Sequence, residues 1–150
     1  MGGSALFMAH LLDILGKGEV ITIDTQDDLA RPTHPRVRYV KGSSVDKQLI
    51  EMLLSERPDE TRLIVLGSDH SKQHVLNELN LLARHVSLGS YIIVEDTNLN
   101  GHPAYESFGD GPQEAVEEFL MTNDNFVVDE SGEKFLMTFN PRGYLKRIRL

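Results

Sequence analysis

The chain has 150 residues, enough for one core of ordinary size and too few for a second domain beside it. Its 40% apolar and 25% charged residues place it among globular proteins, and a formal net charge of -8 without a long basic run argues against nucleic acid as the main partner. It contains no cysteine, which removes disulfides, thiolate metal sites and a Cys nucleophile together. No apolar run approaches the roughly 20 residues of a membrane span, and no signal-peptide pattern opens the chain. The expectation is a cytoplasmic protein with no membrane partner.

Residues 4–15 carry Leu6, Phe7, Leu11, Leu12 and Leu15 at helical spacing, and Gly16 with Gly18 supplies a stop, which predicts a first helix. Residues 19–25 read as a β-branched strand that finishes on Asp24. A proline-containing loop over 27–35 and a short strand over 37–40 lead through Lys41-Gly42-Ser43-Ser44 into a second helix over 45–55, with Asp46 in its first turn. The continuous apolar run Leu63-Ile64-Val65-Leu66 predicts a strand buried on both faces of a parallel sheet, opening into Gly67-Ser68-Asp69-His70. A third helix over 71–85 has Val75, Leu76, Leu79 and Leu82 as its inward stripe, and a buried strand over 90–94 ends in Glu95-Asp96.

This alternation predicts one α/β domain over 1–150, a Rossmann-like, doubly wound, mostly parallel sheet joined by right-handed crossovers. Ligands in such sheets sit beyond the carboxyl ends of the strands. The Asn- and Gly-rich stretch 97–111 is long enough for a lid or substrate loop, and Pro112 suits the start of a helix over 113–121. Residues 126–128 and 134–139 predict two further strands, with Asn140-Pro141-Arg142-Gly143 as a turn; the basic segment 142–149 reads as a solvated final strand or tail.

Asp24 closes its strand where a nucleotide-binding fold places the carboxylate that takes two ribose hydroxyls; the alternative is a helix cap or loop Asp. Gly2-Gly3-Ser4, before the first helix, would let a ligand approach the backbone closely at a helix N-terminus. Asp69, Glu95 and Asp96, from the ends of two strands, would converge on an oxygen-rich pocket for a hard cation such as Mg²⁺ if those strands are neighbours; singly, each reads as a solvated loop residue. His70 is a candidate base, a metal ligand or a locally packed helix-start residue, and His102 is a second candidate base, a substrate contact or a surface histidine.

Five segments carry a resemblance: Gly2-Gly3-Ser4-Ala5-Leu6-Phe7, Ile23-Asp24, Ser68-Asp69-His70-Ser71, Gly89 to Asn98 with its Glu95-Asp96 pair, and Thr138-Phe139-Asn140-Pro141. Together they resemble the cephalosporin hydroxylase / rhamnosyl O-methyltransferase family. The most specific part is Ser-Asp-His-Ser followed, 26 positions after Asp69, by the Glu-Asp pair. Despite the hydroxylase name, the family looks like S-adenosylmethionine-dependent, class I methyltransferases that use a divalent metal.

The resemblance implies that Asp24 binds the ribose of S-adenosylmethionine, that Gly2, Gly3 and Ser4 belong to the loop under its methionine end, and that Ser43 and Ser44 lie by the adenine. It also implies that Asp69, Glu95 and Asp96 hold Mg²⁺ and that His70 or His102 takes the proton of an acceptor hydroxyl on a sugar or natural product. Two departures belong to the same comparison. Family members carry an acidic strand with a Glu-x-Gly pattern before Gly-Gly-Ser, so the expectation is an N-terminally truncated domain. Gly67 stands where the related pattern commonly reads Asp-Ser-Asp-His. The alternative to an O-methyltransferase is a non-catalytic nucleotide-binding or assembly subunit, or a fragment of the enzyme. A dehydrogenase is disfavoured because hydride transfer has no use for the acidic set. Homo-oligomerisation stays open.

Overall fold

A computed structural model describes residues 2–26, 30–135 and 137–150. Positions 27–29 of the predicted loop and 136 of the predicted strand 134–139 lie outside the described residues. The chain divides into two compact units, residues 1–50 and 51–150.

The first unit opens with α1 (Gly3–Leu15), which Gly2 starts and Gly16 stops, both in the left-handed region at φ 93° and 74°. Its buried face is the small pair Ala5 and Ala9. Phe7, Leu11, Ile14 and Leu15 are exposed, so the bulky residues that made the helix legible are not what it buries. α1 packs on β1 (Val20–Asp24) and β2 (Val37–Lys41), which pair in parallel from Val20 opposite Val37 to Asp24 opposite Lys41. Asp46, just before α2 (Lys47–Ser55), takes the N–H groups of Gln48 and Leu49 on Oδ1 and so caps the helix.

The second unit holds β3 (Ile64–Leu66), α3 (Lys72–Leu82) with a 3-10 turn over Ala83–His85, β4 (Tyr91–Val94), α4 (Pro112–Thr122), β5 (Phe126–Val128) and β6 (Tyr144–Arg147). Its strand order is β3-β4-β6-β5; β3 and β4 are parallel, whereas β6 runs antiparallel to both neighbours. Among the described residues the strands therefore form two sheets rather than one mostly parallel sheet: a parallel pair, and a four-stranded sheet with one parallel and two antiparallel pairings. Leu66, Ile92, Val94 and Leu145 are buried, as are Val75, Leu79 and Leu82 of α3 and Ala115, Val116 and Phe119 of α4, and α3 packs on both β3 and α4.

The last strand corrects the reading of 134–139. Phe135, Met137 and Phe139 are 70–86% exposed, and the strand is instead Tyr144–Arg147, inserted between β4 and β5. Its charges are placed without burial of a bare ion: the Lys146 ammonium lies over the Tyr91 ring, and the Arg147 guanidinium donates to the carbonyls of Arg84 and Val86. Leu145, just before them, is fully buried.

Candidate active site

In the first unit the candidate ligand-binding residues gather at the carboxyl end of β1 and the start of α1. A Cβ on Gly2 would stand 2.7 Å from Tyr39 Oη and 3.1 Å from Pro32 Cδ, and the residue has φ 93°, so only glycine fits there. A Cβ on Gly3 would meet nothing within 4 Å, which leaves the helix start open to an approaching group, and Ser4 beside it is exposed. Asp24 ends β1 as expected. Its Oδ1 accepts the Gln26 N–H at 3.0 Å, and its Oδ2 lies 3.1 Å from the Arg31 guanidinium. Arg31, which sequence reasoning missed, is largely buried, stacks over the Tyr39 ring and donates to the Gln26 carbonyl. Ser43 accepts the Val45 N–H on Oγ at 3.3 Å; Ser44 follows it on the way to α2.

In the second unit, pairing of β3 with β4 makes Gly67–His70 and Glu95–Asp96 neighbours, and the Glu95 N–H donates to the Leu66 carbonyl at 2.8 Å. Glu95 is half-buried. Burial pushes its carboxyl above the ordinary value, the charge of Asp96 adds to the rise, and His70 opposes it. Glu95 Oε2 fills the space over Gly67: a Cβ there would stand 2.1 Å from it. Asp96, at φ 55°, is fixed by its N–H on Asn140 Oδ1 at 2.9 Å. His70 Nε2 is shielded from solvent and, although 3.1 Å from Asp96 Oδ2, forms no hydrogen bond with it.

Asp69 faces a different duty. Its Oδ1 accepts the Ser71 N–H at 2.8 Å at the start of α3, and that bond, with smaller help from the charges of His74 and His70, holds its carboxyl below the ordinary range. Among the described residues no three His, Asp or Glu side chains stand close enough together to hold a metal ion. Glu95 and Asp96 fit a hard cation chemically, since a half-buried carboxylate pushed up by burial and by a neighbouring carboxylate gains from a counter-charge. The turn before them is anchored from below: Ser68 Oγ donates to the buried Glu78 at 3.0 Å, and His74 Nε2 lies 3.2 Å from the same hydroxyl.

His102 lies on the loop after Asp96, its N–H on the Asn98 carbonyl. Its Nε2 is 2.8 Å from Oε1 of Glu114, a second residue that sequence reasoning missed. Glu114 also accepts Asn100 Nδ2 at 2.8 Å and the Gly111 N–H at 2.7 Å. An acid three residues after Gly111, with Pro112 between them, was a visible helix-start signal; its hold on His102 was not. The segment leading into α4 also meets the start of α3, since the Lys72 N–H donates to the Asp110 carbonyl.

Burial is the largest single influence on Glu114 and raises its pKa, but the bonds from His102, Gly111 and Asn100 together outweigh it and leave the group at about 2. The folded value lies below the unfolded one, so this carboxylate stabilises the fold above about pH 4.5 and loses that contribution as pH falls toward about 2. The expected result is that Glu114→Gln is less stable than the parent near neutral pH and that the gap narrows below pH 4.5, read from urea unfolding at stepped pH. A gap constant with pH would contradict the assignment.

The model of the Rhamnosyl O-methyltransferase/CmcI family matches residues 1–148. Rhamnosyl O-methyltransferase of Mycobacterium tuberculosis (strain ATCC 25618 / H37Rv) is 38% identical over 158 aligned positions, covering 97% of this chain and 63% of the relative. The protein of that name from Mycobacterium leprae (strain TN) is 37% identical, over 97% of this chain and 67% of its own. The chain thus spans about 63% of the length of the first of these relatives. In fold it is similar to MycE methyltransferase from the mycinamycin biosynthetic pathway. One structure of it, in complex with Mg and SAH, superposes at TM-score 0.61 and 14% identity, over 99% of this chain and 42% of that one. Another, with Mg, SAH and mycinamycin VI, gives 0.54 at 21%, over 77% and 29%.

Proposed function

We propose that this chain, which belongs to the Rhamnosyl O-methyltransferase/CmcI family, carries the S-adenosylmethionine-dependent, Mg²⁺-assisted O-methyl transfer of a sugar or natural-product hydroxyl. The observation that carries the reading is the half-buried Glu95 beside Asp96 and His70 at the end of a parallel strand pair, the place where such sheets hold ligands. The complexes of the MycE methyltransferase with Mg and SAH support the same pair of cofactors.

In this reading Asp24 accepts the ribose hydroxyls where Arg31 now donates, Gly2, Gly3 and Ser4 border the methionine end, and Ser43 and Ser44 the adenine. Glu95 and Asp96 would hold Mg²⁺, with Asp69 joining them only once its carboxylate gives up the Ser71 N–H, and the bound ion would lower the pKa of the acceptor hydroxyl. His70, or His102 from the following loop, takes the proton. The rest of the domain's work is positioning, a large effect when two reactants are held in line. The acceptor is a small molecule and the setting the cytoplasm; among the described residues no helix is long and apolar enough to cross a membrane.

The test is transfer of a labelled methyl group from S-adenosylmethionine to a panel of rhamnosides and macrolide sugars, with and without EDTA. Label in the acceptor that EDTA abolishes is the expected result; transfer indifferent to EDTA removes the metal, and no transfer to any acceptor removes the catalytic reading. Asp24→Asn is expected to weaken S-adenosylmethionine binding roughly 10- to 100-fold, the worth of hydrogen bonds to a charged acceptor, as read by equilibrium dialysis. Two observations favour a second reading, a non-catalytic nucleotide-binding or assembly subunit: the Asp24–Arg31 pair and the lack, among the described residues, of a three-residue metal cluster. It predicts a folded chain without methyl transfer.

A further inference from the structure

The contacts of Glu114 define the chemistry of His102 more narrowly than the proposed function requires. Two of the three groups that meet this carboxylate, the Asn100 Nδ2, whose amide is oriented by the Gly109 N–H on Oδ1, and the Gly111 N–H, can only donate, so its oxygens act as acceptors. We propose that Glu114 is a positioning residue for His102, holding the imidazole in the tautomer that carries its proton on Nε2 and leaving Nδ1 as the only nitrogen able to accept a proton. The carboxylate has no proton of its own to offer, because its three bonds keep it ionised at neutral pH. The 2.8 Å contact therefore requires N–H on Nε2 of the ring.

The backbone around the ring is pinned as well. Asn100, at φ 59°, gives its Nδ2 to Glu114 and accepts the Gly109 N–H on Oδ1, the Gly101 N–H meets the Ala104 carbonyl, and the His102 N–H meets that of Asn98. Lys72, the cation whose charge reaches Glu114, is itself directed to Glu118 at 2.9 Å. The ring is thus oriented by Glu114, and a histidine so held accepts a hydroxyl proton through Nδ1 alone. The catalytic half of this inference rests on the methyltransferase reading; the tautomer does not.

The experiment is ¹⁵N NMR of the full chain labelled at histidine, with the His102 signals assigned by their disappearance in His102→Gln. The expected result is a protonated Nε2 and an unprotonated Nδ1 in the parent at neutral pH; the opposite tautomer, or an even mixture, overturns the proposal. In Glu114→Gln the side-chain amide must set its NH₂ against either the Gly111 N–H or the ring, and the second choice reverses the tautomer. The Nε2-protonated form should lose its exclusivity there, and kcat for methyl transfer should fall on the order of 10²-fold with KM for S-adenosylmethionine unchanged. An unaltered tautomer and kcat in a folded Glu114→Gln protein also overturn it. If that variant does not fold, the parent spectrum decides. Failure of the parent to bind S-adenosylmethionine would sink the methyltransferase reading while the tautomer measurement stands.

Discussion

Replacing Glu95 by Gln is expected to cut Mg²⁺-dependent methyl transfer by at least roughly 10²-fold and, at the same time, to raise the thermal midpoint of the chain. Both follow from one observation. Burial and the charge of Asp96 push the Glu95 carboxyl above its ordinary pKa, so its ionised form is disfavoured in the folded protein relative to the unfolded one. The isosteric neutral amide removes that cost and also removes the negative charge that a cation needs. The sign with pH is definite: the stability gain of the variant is full at neutral pH and disappears as acid protonates the parent through its raised pKa. Differential scanning fluorimetry beside the labelled-methyl assay reads both halves. A variant that keeps a tenth of the parent's activity, or that melts below it, would contradict the role assigned to Glu95.

Gly143→Ala is expected to destabilise the second unit by about 1–3 kcal/mol, the usual cost of overpacking, and to impair the site with it. A Cβ at this position would stand 2.3 Å from the Val94 carbonyl oxygen and 3.2 Å from both the Asn140 carbonyl and Thr97 Oγ1. The nearest of these is strand backbone, which cannot swing aside as a flexible side chain can. The same turn returns the Gly143 carbonyl to the Val94 N–H and Asn140 Oδ1 to the Asp96 N–H, so it clamps the end of β4 that presents Glu95 and Asp96. Urea unfolding with Mg²⁺ titration checks both effects; a loss under about 0.5 kcal/mol would show that the clamp yields freely.

Much of this fold was legible because its strands are short β-branched runs bounded by turn residues. Val20–Asp24, Ile64–Leu66 and Tyr91–Val94 lie where such runs predicted them, and their ends deliver Asp24, Asp69, Glu95 and Asp96 to loops. The misread strand shows where that signal fails. Phe135, Met137 and Phe139 have aromatic and apolar character without burial, while Tyr144–Arg147 has two cations and is central, because a ring and two backbone carbonyls receive those charges. Likewise, the helical period of α1 was correct, but the buried face is its alanines.

The candidate site divides in the same way. Side chains at strand ends could be named from the sequence, since chain connectivity alone puts them there. Their partners could not. Arg31 reaches Asp24 across a loop, Glu78 reaches Ser68 from the middle of α3, and Glu114 reaches His102 from the start of α4. Each pairing depends on distances that only the packed elements establish, and each decides whether a carboxylate is committed or available.

The most direct test of the central claim is a calorimetric titration of the purified chain with S-adenosylmethionine, with and without Mg²⁺. The account predicts saturable binding in the micromolar range that Asp24→Asn weakens. A folded chain that gives no binding heat in either condition, and no saturation by equilibrium dialysis, would contradict it.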